Sequence, residues 1–522
     1  RIHFCGSGLH SSPPSQSMSD TDDDGLRNKL SCWVAALRTH YLVALLFTLV
    51  VYFPRLCLSY TVFFFAGLLR LVARVIGTAT GRKVANRRIL VITDYMPPQT
   101  HGIAIRCHAY VKEMRAKGHE VIVFATAYQA SQETSFDHPN IPSVVNPFNL
   151  KNRIGYNPGV KLAWYLGVNT WDVVHLVYPS LIGAFVLSCC AWRCIPVYCS
   201  HHVEMDIFAH KHVGYRWIAN FALFMYNLIG KWPAIYWGTL NSAPTVCFAK
   251  SHLGADREEF LRRVPSGTHE VFRPEPNSPE ERRDVRLRRF GVDDEKTKVI
   301  LMVQRLSSEK GTERIFPALV PEKDGGYGVN GVLAIAGDGP SKAALMAEAQ
   351  QKQLHVVFLG NVPHHDLPEL YRAADCFVTM SLSETFGLTC LEAQMCGCPA
   401  VMPFCDVFNE IWDKRVPKEW RYDINSISQF ASAIAAAQNG RQFLVDHPVS
   451  DTWKKATEEL LEQYEECIKL NEAKREKHRS IMNRVDTFLR LTLCAAIALF
   501  ILSKYYKALK RVGALELFQG IF

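Results

Sequence analysis

From Ser381 to Pro399 the chain reads SLSETFGLTCLEAQMCGCP. Just before it, Cys376-Phe377-Val378-Thr379-Met380 is a short apolar run of the kind that makes a buried strand. The stretch opens polar and then takes helical spacing, so it reads as strand, loop and helix start. Glu384 ends the loop, and Glu392 stands eight positions on, one or two turns into the helix. Between them Gly387 permits close backbone approach. Leu388 and Thr389 offer amides at a helix N-terminus, where phosphate is attracted. A carboxylate at each end, with phosphate-binding amides between, suits a sugar-nucleotide diphosphate. One carboxylate accepts from sugar hydroxyls and the other from ribose. The plain alternative is a helix capped by Glu384, with Glu392 in water.

Upstream, Val299 to Val303 is an apolar strand followed by Gln304-Arg305-Leu306-Ser307-Ser308-Glu309-Lys310-Gly311. Two cations on the loop after a strand, Arg305 and Lys310, would neutralise a leaving diphosphate, the arginine bidentately and the lysine as a point charge. A solvated Arg and Lys is the alternative. Gly331 to Ala336 is a strand that ends in the tight turn Gly337-Asp338-Gly339-Pro340, with a helix from Ser341. His355 to Leu359 and Asp375 to Met380 continue the sheet, and Pro399 to Met402 is its last clear strand.

The first half repeats the pattern without repeating the sequence. Arg88 to Asp94 is a strand, and Tyr95 to Gly102 is a loop carrying Pro97-Pro98. Ile103 to Lys117 is an amphipathic helix stopped by Gly118, and Glu120 to Ala125 is the next strand. This order implies a parallel sheet with its site at the strand C-termini. Gly102, at a helix start, is either a diphosphate-facing amide or an ordinary turn glycine. Val173 to Leu176, Pro196 to Cys199 and Thr245 to Ala249 are further strands. The second runs into Ser200-His201-His202-Val203-Glu204, which is either a ligand-facing segment or a surface histidine pair. Ser266-Gly267-Thr268 and the Pro/Glu-rich stretch Arg273 to Arg289 read as the hinge between domains. Asp451 to Lys477 is a long charged helix expected to pack back across the first domain.

The ends are different in kind. Residues 1–40 read as disordered, being rich in Ser, Pro and Asp up to position 30. Tyr41 to Phe53 and Leu56 to Leu69 are apolar runs broken by Pro54-Arg55 and followed by Arg70, Arg74, Arg82 and Lys83. Each is short of the ~20 residues a full span needs. Together they fit one kinked span, a hairpin dipping into one leaflet, or an interfacial anchor. Leu491 to Leu502, between Arg490 and Lys504, Lys507, Lys510 and Arg511, reads as interfacial or a partial span. The 522 residues allow two or three domains, and the net charge of +9 favours an anionic lipid surface or substrate. Nothing points to nucleic acid. Sixteen cysteines without a Cys-x-x-Cys pair read as buried free thiols in a reducing compartment, and zinc-ligand spacings are absent, so no metal is expected.

From about Arg88 to Glu465 the sequence resembles the retaining family 4 glycosyltransferases of the two-domain GT-B type, closest in flavour to the sulfolipid-synthase branch, which glycosylates diacylglycerol. Arg305, Lys310, Gly337-Asp338-Gly339-Pro340, Glu384 and Glu392 carry the likeness, in the family's order. The resemblance implies an α/β fold of two Rossmann-like domains facing a cleft, and transfer from a UDP- or GDP-sugar with retention and without an obligatory metal. It implies an acceptor domain over 88–285, a nucleotide-sugar domain over 296–450 and a returning helix over 451–480. Membrane-associated segments over 41–80 and 487–511 complete the expected organisation. The resemblance also implies that His201 faces the transferred sugar, with Glu384 orienting it as the second catalytic residue. Gly102, Arg305, Lys310, Leu388, Thr389 and Glu392 would then hold the nucleotide. The expected partners are a nucleotide sugar, a lipid acceptor and a membrane. Three departures stand out: His101-Gly102 replaces a Gly-Gly, Ser266-Gly267-Thr268-His269 replaces an Asn-Gly-Val-Asp hinge, and Phe404-Cys405-Asp406 replaces a Gly-Gly turn. They bear on sugar and acceptor more than on reaction class. An inactive membrane-bound subunit of the same fold, and a phosphorylase or epimerase, are the rival readings.

Overall fold

The computed structural model describes residues 53–75, 86–97, 102–126, 140–145, 153–155, 157–178, 182–202, 220, 240–243, 260–274, 278–382, 384 and 386–475. The apolar runs expected over 41–52 and 491–502, the disordered 1–40 and the strand expected over 245–249 lie outside the described residues.

The first half contains helix α1 (Phe53–Val75), β1 (Arg88–Thr93), α2 (Gly102–Ala116), β2 (Glu120–Thr126), β3 (Asn140–Ile141), the small pair β4 (Ser143–Val145) and β5 (Arg153–Gly155), α3 (Gly159–Val168), β6 (Val173–Tyr178), α4 (Gly183–Arg193), β7 (Val197–His201), β8 (Leu240–Ala243) and β9 (Leu261–Arg263). Seven of these strands form one sheet in the order β3-β2-β1-β6-β7-β8-β9, every pairing parallel. A parallel sheet is covered on both faces, which is why its strands read as apolar runs. Alternate residues serve the two layers. Leu90, Ile92, Val174 and Leu176 pack with α1, α3 and α4; Ile89, Val91, Val173 and Tyr198 pack with α2 and the last helix.

The second half continues with α5 (Pro279–Val285), β10 (Val299–Val303), α6 (Phe316–Leu319), β11 (Val332–Ala336), α7 (Lys342–Gln351), β12 (Val356–Gly360), α8 (Leu367–Ala373), β13 (Cys376–Val378), α9 (Leu388–Met395), β14 (Ala400–Pro403), α10 (Asp406–Trp412), β15 (Arg421–Tyr422), α11 (Ile427–Ala437), α12 (Arg441–Asp446) and α13 (Trp453–Arg475). Its parallel sheet runs β12-β11-β10-β13-β14-β15, so it has one strand beyond the last that the sequence marked. Arg421-Tyr422 is too short and too polar to show as a strand in hydropathy.

The stretch read as a hinge, 273–289, is corrected by the structure. Ser278 and Glu281 form a reciprocal capping box that starts α5. A π-helical turn, Arg286–Phe290, follows, and Val285 and Phe290 join the second core. Arg286 is buried because Asp375 takes its guanidinium at 2.9 Å. A run of charges looked like linker; it is a helix whose charges are paired inward. The crossing itself is narrower. Thr268 donates its amide to Asp451 and accepts from the Trp453 amide, at 3.0 and 3.1 Å. There α13 leaves the second domain and lays Trp453, Leu460, Tyr464 and Cys467 into the first core.

Candidate functional site

The loops after β10 and β13 meet. Lys310 donates its ammonium to Glu384 Oε1 at 2.5 Å and to Ser381 Oγ at 3.2 Å. Both side chains keep about a fifth of their surface open, 20% and 22%, so the pair is reachable by a ligand. The loop is held from behind. Tyr422 Oη donates to the Thr379 carbonyl at 2.8 Å and Trp412 Nε1 to the Phe386 carbonyl at 3.2 Å. Gly387 then turns with φ of 82°, and a Cβ there would meet the Phe408 ring at 2.7 Å, so only glycine fits. No side chain caps α9. Glu384 therefore pairs with a cation instead of capping, and the helix N-terminus at Leu388 and Thr389 keeps its attraction for an anion.

Arg305 is exposed, and its side chain has no hydrogen-bond or ion-pair partner among the described residues. Its loop is fixed by backbone: Leu306 donates to the Asp338 carbonyl and accepts from Ser341, both at 3.0 Å. The structure thus brings Lys310 to Glu384 and leaves Arg305 beside the Gly337–Pro340 turn, away from contact with either carboxylate.

Glu392 is not solvated. It is 6% exposed, and it accepts from His364 Nε2 at 2.9 Å and from Tyr371 Oη at 3.2 Å. Burial, and then the Glu392 charge, hold the Tyr371 phenol protonated, so it stays a donor. A buried carboxylate survives only with such partners. The His364 ring lies 4.9 Å from Phe272 and 5.8 Å from His269, which reach in from the crossing. Burial first, then the neighbouring His364, Lys112 and His108, keep His269 below its ordinary pKa and neutral. Sequence reading missed His364 and Tyr371. The signal was available: His364 follows a strand C-terminus, the same position that drew attention to His201.

Across the cleft, Gly102 opens α2, and a Cβ there would touch Leu388 Cδ1 at 3.9 Å. Two helix starts, one from each domain, come together. His201 is the last residue of β7, an interior strand, and is 1% exposed, so it is no surface histidine. Its neighbours on the strand take part in a buried chain that the sequence did not reveal. Arg106 Nη1 lies 2.8 Å from His202 Nδ1, and Arg106 Nη2 donates to Ser266 Oγ at 2.7 Å. His202 Nε2 lies 2.8 Å from Ser200 Oγ, which lies 2.6 Å from His175 Nε2, and His175 Nδ1 lies 2.6 Å from Tyr464 Oη. Arginine can only donate, which fixes the first link. His202 accepts at Nδ1 and donates from Nε2 to Ser200 Oγ; the Ser200 and Tyr464 hydroxyls both donate and accept, so His175 bonds to both in either tautomer. Burial pushes the His175 pKa down to about 3, in keeping with a neutral ring.

Among the described residues no cluster of three His, Cys, Asp or Glu side chains is arranged to hold a metal ion. A family model described as glycosyl transferases group 1 matches residues 286–441, and one described as glycosyltransferase family 4 matches residues 100–233. The sequence is 34% identical over 341 residues to a GDP-mannose-dependent alpha-(1-6)-phosphatidylinositol dimannoside mannosyltransferase of Mycobacterium tuberculosis, covering 62% of this chain and 81% of that protein. It is 25% identical to the alpha-monoglucosyldiacylglycerol synthase of Streptococcus pneumoniae, over 60% of this chain and 70% of that one. It is also 25% identical to a sulfoquinovosyl transferase of Arabidopsis thaliana, over 60% and 59%. The fold is similar to that of the sucrose-phosphate synthase of Thermosynechococcus elongatus, with TM-score 0.53 at 16% identity over 73% of this chain and 98% of that structure.

Proposed function

Since the chain belongs to the group 1 glycosyltransferases and is a hexosyltransferase using a nucleotide sugar, we propose that it moves a hexose, with retention at the anomeric carbon, from a UDP-sugar to a hydroxyl of a lipid such as diacylglycerol. The observation that carries the reading is the Lys310–Glu384 pair beside an uncapped helix start. Lys310 and the exposed Arg305 close on the diphosphate and stabilise its charge as it leaves. Glu384, released from Lys310 when phosphate arrives, orients the sugar. Glu392, already oriented by His364 and Tyr371, takes the ribose hydroxyls. His201 hydrogen-bonds the sugar and steadies an oxocarbenium-like transition state. The acceptor hydroxyl attacks on the face the diphosphate leaves and passes its proton to the departing phosphate. No step is assigned to a metal.

Relatives whose names specify glucosyldiacylglycerol and sulfoquinovosyl transfer support a glycolipid product, with UDP-sulfoquinovose among the donors to test. A second reading, mannosyl transfer from GDP-mannose, is favoured by the 34% identical mannosyltransferase. Buried thiols throughout both cores, without a disulfide among the described residues, support catalytic domains in a reducing compartment.

The test is a panel of UDP- and GDP-sugars scored by thermal stabilisation of the protein. Lys310→Ala and Glu384→Ala should each lower turnover by roughly tenfold or more while the unfolding temperature holds. Wild-type turnover in either variant removes the assignment.

A further inference from the structure

Helix α1 is the one helix among the described residues long and apolar enough to cross a membrane, and its 23 residues extend roughly 35 Å. Length does not decide what it does; its two faces do. Leu56, Ser59, Tyr60, Phe63 and Ala66 repeat at helical spacing and are buried on the first domain. Tyr60 Oη is 3.0 Å from Ser188 Oγ on α4, and Phe64 sets its ring edge-on to Trp192 at 5.3 Å. The backbones of α1 and α3 nearly touch: a Cβ at Gly167 would lie 2.6 Å from the Phe63 carbonyl oxygen. The helix is therefore fastened lengthwise to the domain.

The other face carries Leu58, Phe65, Leu68, Leu69, Leu71 and Val72, exposed by 40 to 58%. A soluble surface rarely gathers so many large apolar side chains on one helix. The helix sequence has no acidic residue and three arginines, Arg55, Arg70 and Arg74, toward its two ends. The chain leading into it, Tyr41 to Tyr52, is apolar, and Arg82 and Lys83 follow, whereas Arg87 and Arg88 are taken by Glu465 and Glu120.

We propose that α1 is an in-plane docking helix that lays this outer face into an anionic bilayer surface, with the first domain seated on the membrane. The inference rests on the lipid-acceptor reading above and says how that acceptor is met. Crossing is disfavoured by the same contacts that fasten the inner face. Lys161 on α3 and Arg193 on α4 would be drawn into hydrocarbon, where charges are costly. Lying flat costs nothing of the kind. The basic ends of the helix meet headgroup phosphates, and the outer face sinks about 5–10 Å. Basic flanks with no acidic residue fit anionic headgroups better than a neutral surface or a protein groove.

The experiment uses the full chain with an environment-sensitive fluorescent amino acid at position 58, 65 or 72, bound to phosphatidylglycerol vesicles carrying nitroxide lipids of shallow or deep label. In-plane docking predicts strongest quenching by the shallow label at all three positions. Deep quenching at 65 with shallow quenching at 58 and 72 would mean a span and overturn the proposal. Absence of quenching at all three, with self-association in its place, would assign the face to a second copy and also overturn it. The double variant Phe65→Glu with Leu68→Glu should weaken vesicle binding at least tenfold and leave nucleotide stabilisation unchanged. Equal binding to phosphatidylcholine would remove the anionic preference. Nucleotide stabilisation is read separately, so failure of the donor site is distinguishable from failure of the dock.

Discussion

In the second domain, Lys310 and Glu384 are 74 positions apart, yet each stands on a loop directly after a parallel strand. The sheet delivers both to one edge, and only local backbone is needed to aim them. In the first domain, Arg106 reaches 96 positions to His202 and 160 to Ser266, and His175 reaches 289 to Tyr464 on the returning helix. There the polar groups are buried, and each depends on a partner that sequence places far off. The proposed donor side is an assembly of loops on one sheet; the proposed acceptor side is a core with a polar chain through it. Damage should follow that division. Substitutions in the Lys310 and Glu384 loops should spare the fold, whereas substitutions in a buried network should remove stability.

The sharpest break of the division lies in the second domain, away from the loops. Asp375 takes Arg286, Arg282 and the Val299 amide. Burial alone would raise its pKa; the Arg286 hydrogen bond, the Val299 amide and both guanidinium charges outweigh that and leave it lowered. Asp375→Ala strands a buried arginine and should cost about 3–5 kcal/mol of unfolding free energy. The sign follows from the depressed folded pKa. The contribution is present above the ordinary carboxylate pKa and is lost as pH falls through the folded value, so the variant should flatten the acid limb of a denaturation series.

A smaller effect is expected where the two domains join. A Cβ at Gly267 would lie 2.4 Å from the Thr452 carbonyl carbon. Gly267→Ala should cost roughly 1–3 kcal/mol in denaturant unfolding by forcing the crossing strands apart. An unchanged midpoint would mean the crossing is slack. The finest test addresses the first domain alone. Tyr464→Phe should cost about 0.5–1.5 kcal/mol, the worth of one neutral hydrogen bond. Nitrogen NMR should find His202 protonated at Nε2; protonation at Nδ1 would show that Arg106 does not set its tautomer.

Legibility followed the same line. Strands β1, β2, β6, β10 and β11, together with α2, appear where apolar runs and glycine stops placed them, within a residue or two. Lys310 and Glu384 meet because the loop after a parallel strand is a position that sequence can name. The 273–289 stretch misled because charge composition does not distinguish a solvated linker from a helix whose arginines turn inward to Asp375. Glu392 was marked as a ligand carboxylate, but its supports His364 and Tyr371 sit 28 and 21 positions away. Nothing local joins them.

The sequence by itself determined two α/β halves, their strand-loop-helix order and the loops that carry Lys310 and Glu384, because hydrophobic period and turn chemistry act over a few residues. Only the tertiary structure decided that Glu392 is buried, that Arg106 fixes His202 at the head of a buried polar chain and that α1 is fastened along one face with the other left apolar. Those outcomes depend on which distant surface removes a group from water, and burial is a property of the packed molecule that no short window of residues contains.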